Sequence, residues 1–337
     1  MRKIKRMLNE IIEKLNSSNG RVAILTHTNP DPDAIASAFA LSYLIESLIN
    51  RKVSVFYDGI IGRVNNRIMV DALNIPLKKT DRRKIAGYQF VCLVDTQPAK
   101  KNNCFPEGKR AFFVIDHHFE DEGTVNAKYI DIRKNVGSTA AMICQYFDIT
   151  GVEIPTPIAT ALFYGIKTDT DGLLRDYSRI DERYYRRLFP HIDYRILHNI
   201  EYPPLPKDYF YDFADALNFA RVYNDILIAD LGETFVPDMT GEMADYLLRM
   251  EDISLVLVFG EYKNRMYFSL RTSKKGKKLG IVSYELTEGI GSGGGHNKTG
   301  GGVVEDPLLN KKIFLERFFD RFGVVSEKLS LFYSKIK

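Results

Sequence analysis

The first half of the sequence alternates short apolar runs with segments that have the periodicity of a helix. The apolar runs predict strands at residues 22–26, 53–57, 90–94, 112–115 and 129–132. The helix-periodic segments predict helices at residues 34–49, from Ser138 onward and at 158–167. Strands that alternate with helices are typical of a parallel sheet covered by helices on both faces. We therefore predict an α/β fold class, with a mostly parallel, doubly wound sheet in the N-terminal domain.

The composition changes near residue 200. Three prolines fall within residues 201–206 and predict an extended linker, which is followed by a predicted helix at residues 208–221. Predicted strands at 225–231, 254–262 and 266–271 then lead to a glycine-rich segment. We predict a larger domain at residues 1–200, a proline-rich linker and helix at 201–222, and a smaller α/β domain at 223–325.

The overall composition narrows the class of protein. The chain has 337 residues, 45% of them hydrophobic and 27% charged, as in an ordinary soluble globular protein. The net charge of +4 is too small to indicate duplex DNA binding, although it suits an anionic small substrate. The three cysteines are far apart, which indicates neither a disulfide framework nor a zinc site. No stretch reaches the ~18 apolar residues of a membrane span, so we expect a cytoplasmic protein with no membrane partner.

Acidic residues and histidines follow the predicted strands at their carboxyl ends. His27, Asp31 and Asp33 share one short loop after the first strand, and two prolines in that loop favour extended backbone. A stiff loop can present three metal ligands at a small entropic cost. The alternative is a simple turn in which Asp33 caps the following helix.

The later strands carry similar residues. Asp95 ends the strand at 90–94, Asp116-His117-His118 ends the strand at 112–115, and Asp169 follows the helix at 158–167. Each residue alone could belong to a surface turn, although tandem histidines after an apolar strand are costly to bury without partners. Four carboxylates and two imidazoles suit two divalent ions roughly 3.5–4 Å apart that share one carboxylate. The six candidate ligands are His27, Asp31, Asp33, Asp95, His117 and Asp169.

The glycine-rich segment at residues 291–302 has seven glycines in twelve positions. Backbone without Cβ atoms can approach an anion closely, and His296 and Lys298 add side-chain donors, although a flexible linker is the alternative. Arg271 is a candidate phosphate clamp or an ordinary solvated charge at a strand end. The four lysines between 274 and 278 could attract a polyanion or form a solvated turn.

These motifs, taken in order, resemble the DHH phosphoesterase superfamily. The superfamily is named for the motif present here as Asp116-His117-His118, and the Gly-Gly-Gly-His sequence of its associated C-terminal domain is present as Gly293 to His296. The loop at residues 27–33, the strand-end Asp95 and Asp169-Thr170 complete five elements in the family's order. The length is similar to that of the compact nanoRNA-degrading oligoribonucleases and cyclic-dinucleotide phosphodiesterases.

The resemblance implies a catalytic N-terminal domain that binds two Mn²⁺ ions, for which Mg²⁺ or Co²⁺ could substitute. It implies that His27, Asp31 and Asp95 hold one ion, and that Asp33, Asp95, His117 and Asp169 hold the other. Asp95 would bridge the ions, and His118 would lie beside them as a second catalytic residue. The resemblance further implies that the second domain binds substrate through Gly293, Gly294, Gly295, His296 and Arg271.

The predicted function is hydrolysis of short single-stranded oligoribonucleotides or dinucleotides to nucleoside 5′-monophosphates. Dephosphorylation of 3′-phosphoadenosine 5′-phosphate is a second predicted activity. The alternatives are a cyclic di-AMP phosphodiesterase, a pyrophosphatase, which the glycine-histidine segment of the second domain disfavours, and a non-catalytic nucleotide-binding scaffold. No protein partner is predicted, and a homodimer is left open.

Overall fold

A computed structural model describes residues 2–98, 100, 102–118, 126–295 and 297–331 of the chain. The chain divides into two units, Met1–Pro203 and Pro204–Lys337. The helices of the first unit are α1 (Arg2–Asn16), α2 (Pro32–Ile49), α3 (Val64–Ala72), α4 (Arg82–Ala86), α5 (Thr139–Thr150), α6 (Thr156–Asp169), α7 (Arg179–Leu188) and α8 (Tyr194–Glu201). Its strands are β1 (Val22–Leu25), β2 (Val53–Tyr57), β3 (Leu77–Lys79), β4 (Phe90–Val94), β5 (Ala111–Asp116) and β6 (Ala127–Ile132).

Within the described residues, the first unit contains one six-stranded sheet in the order β3-β2-β1-β4-β5-β6. Every pair of neighbouring strands in it is parallel, so the predicted doubly wound sheet is confirmed. The strand order reverses between β1 and β4, which creates a crevice at the carboxyl ends of these strands. Strand β3 was not predicted, because its three residues are partly exposed and two of them are lysines, as is usual at a sheet edge.

Buried strands and a buried helix form the core of the first unit. Every residue of β1, β4 and β5 is buried, as expected for a parallel sheet with helices on both faces. In the described part of the chain, α2 is the one helix long and apolar enough to cross a membrane by length and composition. Because 67% of α2 is buried in the fold, it has the character of a core helix.

Small residues let α2, α5 and α6 pack closely against one another. A Cβ atom placed on Gly165 of α6 would lie 3.2 Å from the Cβ of Ala36 and 3.3 Å from the Cβ of Ala140. It would also lie 3.2 Å from the Cα of Asp33. The close contact at Gly165 therefore sets the distance between α6, which ends at Asp169, and the start of α2.

We predict that Gly165→Val lowers the free energy of unfolding by about 1–3 kcal/mol, because the added methyl groups would overpack this contact. Chemical denaturation followed by circular dichroism measures the change. Thr156→Val is the matched control, since it places the same side chain at an exposed position of the same helix. Equal stability of the two variants would contradict the packing role of Gly165.

The second unit combines a mixed sheet with four helices, counted over the described residues. The helices are α9 (Lys207–Asn218), α10 (Met239–Leu247), α11 (Leu279–Thr287) and α12 (Pro307–Phe322). The strands are β7 (Arg221–Tyr223), β8 (Ile226–Glu233), β9 (Leu255–Tyr262), β10 (Arg265–Thr272), β11 (Gly291–Gly295), β12 (Thr299–Glu305) and β13 (Ser330–Leu331). The sheet order is β11-β12-β10-β9-β8-β7-β13, with β8 and β9 parallel and the other neighbours antiparallel.

Helix α9, which falls in the predicted linker-and-helix segment, packs into the core of the second unit. Its Tyr209 and Ala216 are buried in one cluster with Leu227 of β8 and Met243 of α10. The division of the chain at Pro203 and Pro204 falls before this helix. The connecting segment is therefore short, and the helix contributes to the fold that follows it.

Candidate metal centre

The strand ends of the first unit bring the candidate ligands to one edge of the sheet. His27 lies two residues after β1, Asp95 follows β4 directly, and His117 follows β5 directly. The carboxyl ends of parallel strands lie at the same edge of the sheet, and the strand order reverses between β1 and β4. Side chains that are far apart in sequence therefore meet at this crevice.

The start of α2 positions two of the carboxylates in different ways. Asp31 is the N-cap, and its Oδ1 accepts a hydrogen bond of 3.0 Å from the amide of Ala34. The alternative in which Asp33 caps α2 is wrong, because Asp33 lies inside the first turn and is fully buried. The two oxygens of Asp33 instead accept from the amides of Thr139, at 2.7 Å, and Ala140, at 2.8 Å. These amides begin α5, where the helix dipole favours a negative charge.

One group of candidate ligands consists of His27, Asp31 and Asp95, whose donor atoms lie within 4.8 Å of one another. The Nε2 atom of His27 is 3.7 Å from Oδ1 of Asp31 and 3.5 Å from Oδ2 of Asp95. Its Nδ1 atom is 2.9 Å from the carbonyl of Thr28, to which it donates when it carries the proton. That bond leaves Nε2 as the nitrogen able to bind a metal ion.

A second group consists of Asp33, His117 and Asp169, again within 4.8 Å. The Nε2 atom of His117 is 3.2 Å from Oδ2 of Asp169 and 3.4 Å from Oδ1 of Asp95. Its Nδ1 atom is 3.2 Å from the carbonyl of Val136, which favours Nε2 as the ligand atom here as well.

Asp95 faces both groups and therefore occupies the position of a shared ligand. Its Oδ2 faces His27, while its Oδ1 faces His117 and accepts a hydrogen bond of 2.9 Å from Oγ1 of Thr139. Its backbone has φ of 59°, in the left-handed region, which Asp tolerates better than most residues. Backbone strain of this kind is concentrated at functional sites.

The donor atoms of this centre fit divalent metal ions. Oδ2 of Asp95 and Nε2 of His117 are both buried, and neither makes a hydrogen bond with the described residues. Unsatisfied buried polar atoms are costly, and a bound cation would satisfy both. Carboxylate oxygens combined with imidazole nitrogens suit ions such as Mn²⁺. The structure thus brings together all six predicted ligands, and a third group, which consists of Asp95, His117 and His118, shares one member with each of the other two.

The close carboxylates and imidazoles shift one another's pKa. Burial acts to lower the pKa of His27, but the neighbouring Asp31 and Asp95 raise it well above its ordinary value. Burial, reinforced by the negative charges of Asp169 and Asp95, raises the pKa of Asp33, and burial raises that of Asp169 to about 6. The imidazole of His27 therefore holds a proton near neutral pH in the metal-free protein, and the two carboxyl groups release their protons at a higher pH than an ordinary Asp does. A cation must displace these protons, so its affinity rises with pH.

His118 lies beside the ligands, and its partner is not predicted by the sequence pattern. The side chain of Asp116 is buried and accepts from the backbone amide of His118 at 3.1 Å. Asp116 was assigned no separate role, and Thr139, which donates to both Asp33 and Asp95, was not singled out. Ser138 was predicted to begin a helix and is the N-cap of α5. This N-cap places Thr139 at the first position of the helix, which is the sequence signal that could have identified Thr139.

The predicted substrate-binding residues of the second unit that the structure describes make contacts within that unit. Arg271 forms an ion pair with Asp245, at 2.5 Å, and donates to the carbonyl of Gly300 at 3.3 Å. The glycine-rich segment is not a loop, because Gly291–Gly295 form strand β11, which pairs with β12. His296 lies outside the described residues.

Most glycines of this hairpin are required by close packing. A Cβ atom on Gly293 would lie 2.4 Å from the carbonyl oxygen of Ser283 in α11, and one on Gly295 would lie 2.3 Å from the carbonyl oxygen of Thr299. A Cβ atom on Gly294 would meet no described atom within 4 Å. Packing within the hairpin therefore explains the glycines at 293 and 295, but it does not explain why residue 294 is a glycine.

We predict that Gly293→Ala lowers the free energy of unfolding by about 1–3 kcal/mol, because its methyl group would overlap backbone. Gly294→Ala should change it by less than about 0.5 kcal/mol, since the added methyl group faces open space. Urea denaturation of both variants measures the difference. Equal losses would show that contact with α11 does not explain the glycine at 293.

We predict that Asp95→Asn weakens Mn²⁺ binding by at least about 10-fold, because an amide cannot bridge two cations as a carboxylate can. Isothermal titration calorimetry measures both the affinity and the number of bound ions. Asp71→Asn is the matched control, since Asp71 is exposed on α3. Unchanged Mn²⁺ affinity in Asp95→Asn would rule out Asp95 as the shared ligand.

Both units match described protein domains. Residues 21–166 match the DHH family, N-terminal domain, and residues 224–323 match the DHHA1 domain. The first match contains five of the six candidate ligands, and Asp169 lies just beyond it.

Similar proteins include an uncharacterized protein of Methanocaldococcus jannaschii, which is 37% identical over 274 residues, 81% of this chain and 55% of that protein. A probable manganese-dependent inorganic pyrophosphatase of Streptococcus pyogenes is 27% identical over 155 residues, 44% of this chain and 48% of that one. The chain spans about half the length of these curated relatives.

Among solved structures, an exopolyphosphatase-related protein from Bacteroides fragilis has the same fold. The two chains align with a TM-score of 0.75 over 96% of each, at 17% sequence identity. Superfamily members are metal-dependent phosphoesterases, and the centre at Asp95 has the donor atoms that such chemistry requires. With a DHH domain followed by a DHHA1 domain, the chain belongs to the DHH phosphoesterase superfamily.

Proposed function

We propose that the protein is a Mn²⁺-dependent phosphodiesterase that hydrolyses short oligoribonucleotides to nucleoside 5′-monophosphates. The observation that carries this proposal is the convergence of His27, Asp31, Asp33, Asp95, His117 and Asp169 around one shared carboxylate. Two cations, when bound, would lower the pKa of water and offset the charge of the phosphoryl oxygens.

The residues of the chain provide orientation and preorganisation. The amides of Thr139 and Ala140 hold Asp33, and the hydroxyl of Thr139 holds Asp95, so these two carboxylates need little rearrangement to bind a cation. The side chain of His118 is 26% exposed at the centre and can contact the substrate phosphate. Fixed groups of this kind stabilise the charge that develops in the transition state.

Features of the second unit support a nucleotide substrate. Its DHHA1 match distinguishes the chain from proteins that share only the first domain. Strand β11 is at the end of the sheet order, so no strand among the described residues pairs with one edge of its glycine backbone, and that edge could form hydrogen bonds to a ligand. The exposed Lys275, Lys277 and Lys278 would favour a polyanion over a neutral substrate.

A cytoplasmic location belongs to the same proposal. Cys92 and Cys144 are buried free thiols, and Cys104 is a half-buried free thiol. Burial raises the pKa of Cys92 to about 12, so this thiol stays protonated and unreactive. Free thiols suit a reducing compartment such as the cytoplasm.

The test begins with protein stripped by EDTA and restored with Mn²⁺. We predict that kcat/KM is highest for short oligoribonucleotides in a panel that also contains longer RNA, single-stranded DNA, cyclic di-AMP, pyrophosphate and 3′-phosphoadenosine 5′-phosphate. Asp95→Asn should be inactive on every substrate. Full activity without added metal would contradict the metal-dependent mechanism, and a preference for cyclic di-AMP or pyrophosphate would replace the proposed substrate.

A further inference from the structure

A buried carboxylate contacts the second histidine of the Asp-His-His motif. Oδ1 of Asp116 is 2.8 Å from Nδ1 of His118, and the side chain of Asp116 is fully buried. None of the three groups of candidate ligands found among the described residues contains Asp116. Its position thus indicates a task other than metal binding.

The other oxygen of Asp116 is held by the loop that follows Asp95. Nε2 of Gln97 donates to Oδ2 of Asp116 at 2.7 Å, and both side chains are buried. The backbone carbonyl of Gln97 accepts a hydrogen bond of 2.9 Å from Nδ2 of Asn103, which fixes the loop in turn. A chain of hydrogen bonds therefore runs from Asn103 through Gln97 and Asp116 to His118.

We propose that Gln97 and Asp116 are positioning residues that set the tautomer and the orientation of His118 at the metal centre. An ionised carboxylate can only accept hydrogen bonds, so the Nδ1 atom of His118 must carry the proton. Nε2 is then the nitrogen with which His118 acts on a substrate. Gln97 prevents Asp116 from rotating away, because Asp116 would otherwise lose the donor to its Oδ2.

The expected loss of activity rests on the proposed phosphodiesterase function, but the position of the proton on the His118 ring does not. Loss of an outer hydrogen-bond partner typically reduces activity by about 10–100-fold. We expect Asp116→Asn and Gln97→Met to lower kcat in this range while the number of bound Mn²⁺ ions and the KM stay unchanged. Thr160→Val is the matched control, because it removes a buried hydroxyl in α6 that does not touch the centre.

The decisive measurement is ¹⁵N NMR of the full chain, labelled at its six histidines and loaded with diamagnetic Mg²⁺. Nitrogen–proton couplings identify the protonated ring nitrogen, and His118→Gln assigns the signal. We expect the proton of His118 on Nδ1 in the native protein and in Thr160→Val. Both test variants should alter the His118 signals.

The two readouts separate failure of this proposal from failure of the proposed function. A native His118 protonated only at Nε2 would overturn the proposal whatever the substrate proves to be. A Gln97→Met variant with native His118 signals would remove Gln97 from the chain of hydrogen bonds. Loss of a bound Mn²⁺ ion in Asp116→Asn would make Asp116 a metal ligand and would equally overturn the proposal. If Asp116→Asn does not fold, the native spectrum and Gln97→Met still decide the question.

Discussion

The amino-terminal end of α5 holds the two acidic side chains on which the candidate metal centre depends. Backbone amides at this end bind both oxygens of Asp33, and the hydroxyl of Thr139 binds Asp95. Asp181 holds the helix end in place by accepting from the amide of Gly137, at 2.7 Å, and from the hydroxyl of Ser138, at 2.8 Å. Hydrogen bonds to charged groups and the helix dipole together offset part of the cost of burying these carboxylates.

The remaining cost of the centre is electrostatic. Four carboxylates lie close together, and like charges in a buried site repel one another. Protons on the imidazoles of His27 and His117, whose pKa the neighbouring carboxylates raise well above the ordinary value, reduce this repulsion in the metal-free protein. A cation that replaces those protons binds the folded state alone and therefore stabilises it. The same charges that would bind the metal thus link folding to metal binding.

The local signals in the sequence located most of the elements that form the centre. Strands β1, β4 and β5 are continuous apolar runs because parallel strands are buried on both faces. Local signals failed where a tertiary contact decided the outcome. Strand β3 is short and charged, and the glycines of β11 have poor strand propensity, yet Gly293 is needed where the hairpin contacts α11.

The sequence by itself determined the fold class, the positions of the strand ends and the types of ligand at those ends, because apolar periodicity and chemical identity are local properties. Only the tertiary structure decided that Asp31 caps α2 while Asp33 binds α5, and that Asp116 turns toward His118. These choices depend on contacts between residues up to 107 positions apart. A hydrogen bond across such a distance in sequence exists only after the helices have packed, so no local pattern records it.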